Sequence, residues 1–265
     1  MPGEVFARTL KDQKRNLAWW AVGTVFFAVL VVLVYPSYSA VPELERLLEE
    51  APPALKAFFG ESASITSPVG FLNTELFFFM VPLVFIILAV GRGSDAVAGE
   101  EERGTLELLL SLPLSRRRLV LEKAAAMVIT MGVLSLAMWL GIAAGSLLVE
   151  IDLTGVYKAA ATISGALLGL TFGALALAIG AWRGGRGISI GISGVVGVAT
   201  YLLNVFGTTV NVLEPFRPLS PFYYYIGAEP LAKGLNLGHA GVLTGLSVIL
   251  IALAVTSFDR RDVAK

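Results

Sequence analysis

Cysteine is absent from the chain, which removes disulfides and thiolate-held metals from consideration. A single histidine, His239, excludes a cluster of imidazole ligands. No Gly-Lys pair occurs, so the phosphate-cradling Gly-x-x-x-x-Gly-Lys-Ser/Thr loop of a nucleotide hydrolase is missing. Charge is scarce as well. Asp, Glu, Lys and Arg make up 15% of the 265 residues, and 20 acids against 20 bases leave no net charge to attract a nucleic acid. Apolar residues take up the remainder. They reach 56% with a mean hydropathy of +0.78, well outside the range of a water-soluble domain.

Hydropathy divides the chain into six apolar runs, 17–35, 69–90, 119–149, 156–182, 187–206 and 240–258, each long enough to cross a bilayer as a helix. This predicts an all-α polytopic membrane protein, with one transmembrane domain over 1–265. The first run follows a basic stretch but is longer than a signal-peptide core, and it reads as a retained span. Residues 1–16 carry Arg8, Lys11, Lys14 and Arg15 with Val5, Phe6 and Leu10 at helical spacing, which predicts an amphipathic helix lying along the membrane face. Trp19 and Trp20 follow at the level of an interfacial belt. The loop 36–68 holds several prolines and a candidate short helix over Pro42–Glu50. Pro82 predicts a kink in the second span. The third run is about 46 Å long and should overshoot a hydrocarbon core of about 30 Å, leaving a stem with Glu122 and Lys123 outside it.

Orientation follows from the basic residues. The N-terminus, the 92–123 loop, the Arg183/Arg186 turn and the C-terminal tail hold 15 of the 20 Lys and Arg. Both termini and that loop are therefore expected on the cytoplasmic side of an inner membrane.

The most charged stretch is Glu100–Lys123. Gly104 breaks the chain, and Thr105 is placed to cap a following helix through its side-chain oxygen. Glu107 falls in the first turn, where negative charge suits the helix dipole. Leu106, Leu109 and Leu110 form an apolar stripe at i, i+3, i+4. Pro113 ends the helix after about two turns, and Ser115 is placed to cap the next, which begins Arg116-Arg117-Arg118. So short a helix is marginal alone in water, and its apolar face needs a groove in this chain or another.

Read together, Glu101, Gly104, Thr105, Glu107, Leu109, Leu110, Pro113, Arg116 and Lys123 resemble the cytoplasmic loop between the second and third membrane helices of ABC-2-type exporter permeases. The C-terminal Pro218-Leu-Ser-Pro-Phe-Tyr-Tyr and Phe258-Asp-Arg-Arg-Asp262 are similar to that family too. The resemblance implies that the N-terminal helix is an elbow helix and that Leu106–Leu112 is a coupling helix docking on a separate ATPase. It also implies a helical, partly re-entrant outer segment over 207–239. ATP and Mg would belong to that partner, with no cofactor or metal on this chain. Two ATPase copies and a second permease, a homodimer or a paralogue, would complete an exporter working by alternating access. The docking residues would be Glu101, Gly104, Thr105, Leu106, Glu107, Leu109, Leu110, Pro113 and Arg116.

Other features carry weaker expectations. Glu75 is an acid well inside a predicted span and a default functional suspect, or else an outer-interface residue. With Asn73, Phe78, Phe79, Asn204 and Phe206 it forms a candidate pathway for a partly apolar substrate between the second and fifth spans. Gly165, Gly169 and Gly173 form a small-residue face suited to close packing, repeated by Gly187 and Gly191. Met127, Met131 and Met138 share a helix face, read as core filling before soft-metal binding. Tyr223, Tyr224 and Tyr225 read as an aromatic belt, with an exit gate as the rival. Ser193 and His239 imitate an intramembrane serine-protease dyad, but Ser193 lies about 20 Å below the outer end of its helix while His239 starts the next. An anchor that docks an ATPase without moving a substrate is the alternative function.

Overall fold

In the computed structural model, residues 3–41, 43, 46, 50, 52, 66–111, 115–149, 151 and 153–261 are described. Six helices among them are long and apolar enough to cross a membrane: α1 (Glu4–Ser39), α2 (Pro68–Glu102), α4 (Arg116–Leu148), α5 (Gly155–Arg183), α6 (Arg186–Phe206) and α9 (Leu237–Arg260). Three short helices complete the set, α3 (Leu106–Leu110), α7 (Pro221–Ile226) and α8 (Pro230–Lys233). A 3-10 turn spans Glu214–Leu219. The candidate helix over Pro42–Glu50 lies largely outside the described residues.

Local chemistry sets the ends of these helices. Ser67 accepts from the Gly70 amide at 3.1 Å ahead of Pro68, whose fixed φ suits a first turn. Ser115 accepts from Arg118 and Asn236 from His239, starting α4 and α9. Between α5 and α6 the chain turns on Gly184 and Gly185, with φ of 65° and 77° that side chains resist.

The N-terminal residues do not form a separate elbow. α1 is one unbroken helix of 36 residues, because no proline or glycine interrupts it between Glu4 and Val22. At about 1.5 Å per residue, α1, α2 and α4 each approach or exceed 50 Å, so all three outrun the hydrocarbon core. Their surplus gathers at the end of the molecule that carries Gly3, Glu102, Arg116 and Arg261, called the basic end below.

α2 departs twice from α-helical winding, through π segments at Asn73–Phe77 and Asp95–Gly99. The first closes with Phe78 N–H on Asn73 O at 2.7 Å, and Phe79 then takes φ −126°. The kink thus falls about one turn before Pro82, where its ring crowds the preceding turn.

α5 is the central helix, with the largest buried share of any span, and α2, α4, α6 and α9 pack around it. The Gly165-Gly169-Gly173 face lies inside this one chain. A Cβ there would meet Val81 at 2.8 Å, Phe85 at 3.1 Å and the Met127 sulfur at 2.6 Å. Met127, Met131 and Met138 are all buried and fill the space between α4 and its neighbours. Gly93 of α2 makes a still closer approach, since a Cβ would stand 2.0 Å from the Gly173 carbonyl oxygen. α1 lies along α4, seated on Gly141 and Gly145.

Candidate functional site

A second, smaller core closes the basic end. Val5 of α1, Ala96 and Val97 of α2, Leu119, Val120 and Ala124 of α4, and Ala254 and Phe258 of α9 meet there. Leu106 of α3 is sealed into this cluster with 1% of its surface exposed, and Leu109 packs half-buried against it. The groove that the stripe requires is therefore in this chain. Leu108, on the opposite side of the short helix, is 68% exposed, and Glu107 and Ser111 are exposed beside it.

Three consecutive glutamates at the end of α2 tie the loop to three other helices. Successive helical residues point about 100° apart, so Glu100, Glu101 and Glu102 cannot serve one neighbour. Glu100 pairs with Lys123 of α4 at 2.6 Å, and both side chains are largely buried. Its carboxylate and its carbonyl also accept from the Thr105 hydroxyl. Glu101 pairs with Arg261, just past α9, at 2.5 Å. That pair crosses Gly184, where any side chain would collide with both partners. Glu102 accepts from the backbone amide of Arg186, the first residue of α6, at 2.6 Å.

One turn earlier, Asp95 binds Arg103 at 2.7 Å and Arg186 at 3.5 Å. Its hydrogen bond holds the Arg103 guanidinium above its ordinary range. Asp95 lies across Gly99, whose missing side chain leaves the room. On α4, Glu122 accepts from the amides of Gly3 and Phe6 at 3.0 Å each and from Arg118 at 2.8 Å, which fixes the start of α1.

Thr105 does not cap α3 through its side chain. Its backbone is already helical at φ −87° and ψ −15°, and the hydroxyl donates backwards to Glu100 instead. Gly104 takes φ 69°, the left-handed turn that lets α3 leave the end of α2. Arg116 points inward too, donating to the carbonyls of Phe258 and Arg261 with its guanidinium 5.6 Å from the Phe258 ring. Arg117 pairs with Asp259 at 2.8 Å. Pro113 and the Leu110 side chain lie outside the described residues.

The candidate pathway residues fall into separate settings. Glu75 lies close enough to Tyr38 of α1 for its charge to act on the phenol. It lies near the Tyr35, Tyr38 and Phe71 ring cluster at the far end of the molecule. Phe78 and Phe79 instead face Tyr201 of α6, each at 6.2 Å, and Tyr201 continues onto Phe222 at 5.4 Å. Asn73 and Asn204 are buried, with side-chain oxygens that have no hydrogen-bond partner among the described residues. Phe206 ends α6 and is partly buried. Ser193 is fully buried, its hydroxyl without a partner among the described residues, while His239 packs between Tyr223 and Tyr224, so the two form no dyad. Tyr225 is buried and donates to the Phe77 carbonyl at 2.8 Å.

Asp95, Glu100, Glu102, Arg186 and Arg261 were not singled out from sequence as loop-fixing residues, nor Leu108 as the exposed side of the short helix. The available signal was the acidic triplet itself, whose angular spread demands three partners.

Six spans with a helical loop anchored at the basic end define a polytopic membrane protein. The family model for the ABC-2 family transporter protein matches residues 4–263. The chain belongs to the ABC-2 transporter family. A stretch of 75 residues is 43% identical to the probable ABC transporter permease protein NosY of Pseudomonas aeruginosa, covering 25% of this chain and 25% of that one. The match thus spans about a quarter of the relative's length.

Proposed function

We propose that this subunit exports a partly apolar substrate across the cytoplasmic membrane by alternating access, driven by ATP binding and hydrolysis on two copies of a separate ATPase. A second permease subunit completes the assembly, and ATP and Mg reside on the ATPase. The basic end faces the cytoplasm, in keeping with the distribution of Lys and Arg. The observation that carries the reading is the opposition within α3, where Leu106 is locked into the chain's own core while Leu108, Glu107 and Ser111 face outward. Docking then falls on Leu108 and its exposed neighbours, with Gly104, Thr105, Leu106, Leu109 and Arg116 holding the docking helix in place.

Force applied to α3 reaches α4 through Glu100–Lys123, α6 through Glu102 and Asp95, and the end of α9 through Glu101–Arg261. Glu122 carries movement of α4 on to α1. The substrate route runs between α2 and α6, along Phe78, Phe79, Tyr201 and the open amide oxygens of Asn73 and Asn204. Glu75, turned toward Tyr38, belongs to its outer rim.

Leu108→Asp tests the docking face. The residue is exposed, so stability should change by less than about 0.5 kcal/mol. The variant should insert and melt normally, yet lose its ATPase on co-purification. Full co-purification with substrate-coupled ATPase activity would overturn the docking assignment.

A further inference from the structure

Arg92 is a cation set into the apolar length of α2, roughly 15 Å from its end at Glu102. Its Nη2 donates to Oδ1 of Asn16 on α1 at 2.6 Å, while its Nε is buried without a hydrogen-bond partner among the described residues. Asp95 is the acid whose charge it feels, but that carboxylate is held by Arg103 at 2.7 Å and Arg186 at 3.5 Å. A partly buried guanidinium whose one hydrogen bond among the described residues is to a neutral amide retains unmet demand for an anion.

Asn16 also lines a groove of about 320 Å³ between α1, α2 and α4. Apart from Asn16 and Thr24 its walls carry no polar side chain but the tryptophan indoles, with Trp19, Trp20 and Phe27 on one side and Val84 and Met138 on the other. Trp19 is largely exposed, so the groove opens sideways into the bilayer. From Trp19 to Phe27 it descends about 12 Å along α1. Arg92 does not itself line the groove and meets it through Asn16; a free anion would use only that end, whereas a lipid matches both the charge and the apolar wall below it. Paired tryptophans, with Arg8, Lys11, Lys14 and Arg15 on the preceding turns, put Arg92 at the depth of lipid phosphates.

We propose that this groove holds one anionic phospholipid from the leaflet at the basic end. Its phosphate sits on Arg92 and on the Asn16 amide, and one acyl chain lies against Trp20, Phe27, Val84 and Met138. The lipid thereby adds a bridge between α1 and α2, whose direct packing is concentrated where α1 meets Pro68–Phe77. The site is independent of whether α3 docks an ATPase.

The test uses the full chain in bilayers of phosphatidylcholine doped with phosphatidylglycerol, delipidated stepwise in mild detergent. Retained lipid is counted by native mass spectrometry. The wild type should keep one phosphatidylglycerol in preference to phosphatidylcholine, and Arg92→Gln should lower that retention about tenfold. Gly23→Leu should lower it as well with Arg92 intact, because Gly23 lines the groove and a Cβ there meets nothing within 4 Å. If Arg92→Gln does not fold, Arg92→Lys, which keeps the charge, and Gly23→Leu supply the comparison. Equal retention in wild type and in both Arg92→Gln and Gly23→Leu overturns the proposal. Displacement of the lipid by inorganic phosphate, with Gly23→Leu silent, overturns it in favour of a free-anion site.

Discussion

The Glu100–Lys123 pair sits where the docking loop meets α4, and its two members should not be equally costly to remove. Lys123 is 9% exposed and Glu100 16%, with 2.6 Å between nitrogen and oxygen. Glu100→Gln leaves the Lys123 ammonium buried with no other carboxylate partner among the described residues, at a cost of about 3–5 kcal/mol. Lys123→Met leaves Glu100 with the Thr105 hydroxyl and with Arg103 at 3.7 Å, so its loss should stay near 1–2 kcal/mol. The double variant should recover part of the larger loss, with a coupling energy of about 1.5–3 kcal/mol. Thermal melts in one detergent would show the difference, at roughly 2–4 °C per kcal/mol. ATPase stimulation by the reconstituted permease should remain low in the double variant although its stability partly returns. Equal single losses, or strictly additive ones, would refute the asymmetry and the view of this pair as a mechanical link.

Two further outcomes follow from packing. Leu106→Ala should destabilise the protein by about 2–5 kcal/mol by emptying the small core at the basic end, measurable as a lowered melting temperature. Gly93→Ala should cost about 1–3 kcal/mol or more, because backbone atoms of α5 flank the added methyl at 2.0 and 3.1 Å. Gly91→Ala, two residues away with open space around it, is the control and should melt as the wild type does.

The six spans were legible because each is an apolar run bounded by charge, proline or glycine, as at Ser67-Pro68, Ser115 and Gly184-Gly185. The direction of the Leu106 stripe was not, since periodicity marks an apolar face without saying whether the matching groove lies in the same chain. Thr105 was misread for a related reason. A hydroxyl after a glycine fits both a forward cap and a backward bond to Glu100, and only the three-dimensional course of α2 decides between them. The elbow expected from the resemblance failed against a plain local fact, the lack of any helix breaker between Glu4 and Val22. The partners of Glu101 and Glu102 lie 160 and 84 residues away, beyond what local spacing reveals.

Where α2 crosses α5 at Gly93 and Gly173, main chain rests on main chain with no side-chain cushion between. Such a contact cannot slide by swapping rotamers, so the two helices should travel as a single keel through any transport cycle. Relative motion is left to the outlying helices α1, α6 and α9, which bury only 22%, 28% and 22% of their most apolar stretches. An inhibitor meant to stall the transporter would do better wedged beside one of those than aimed at the keel.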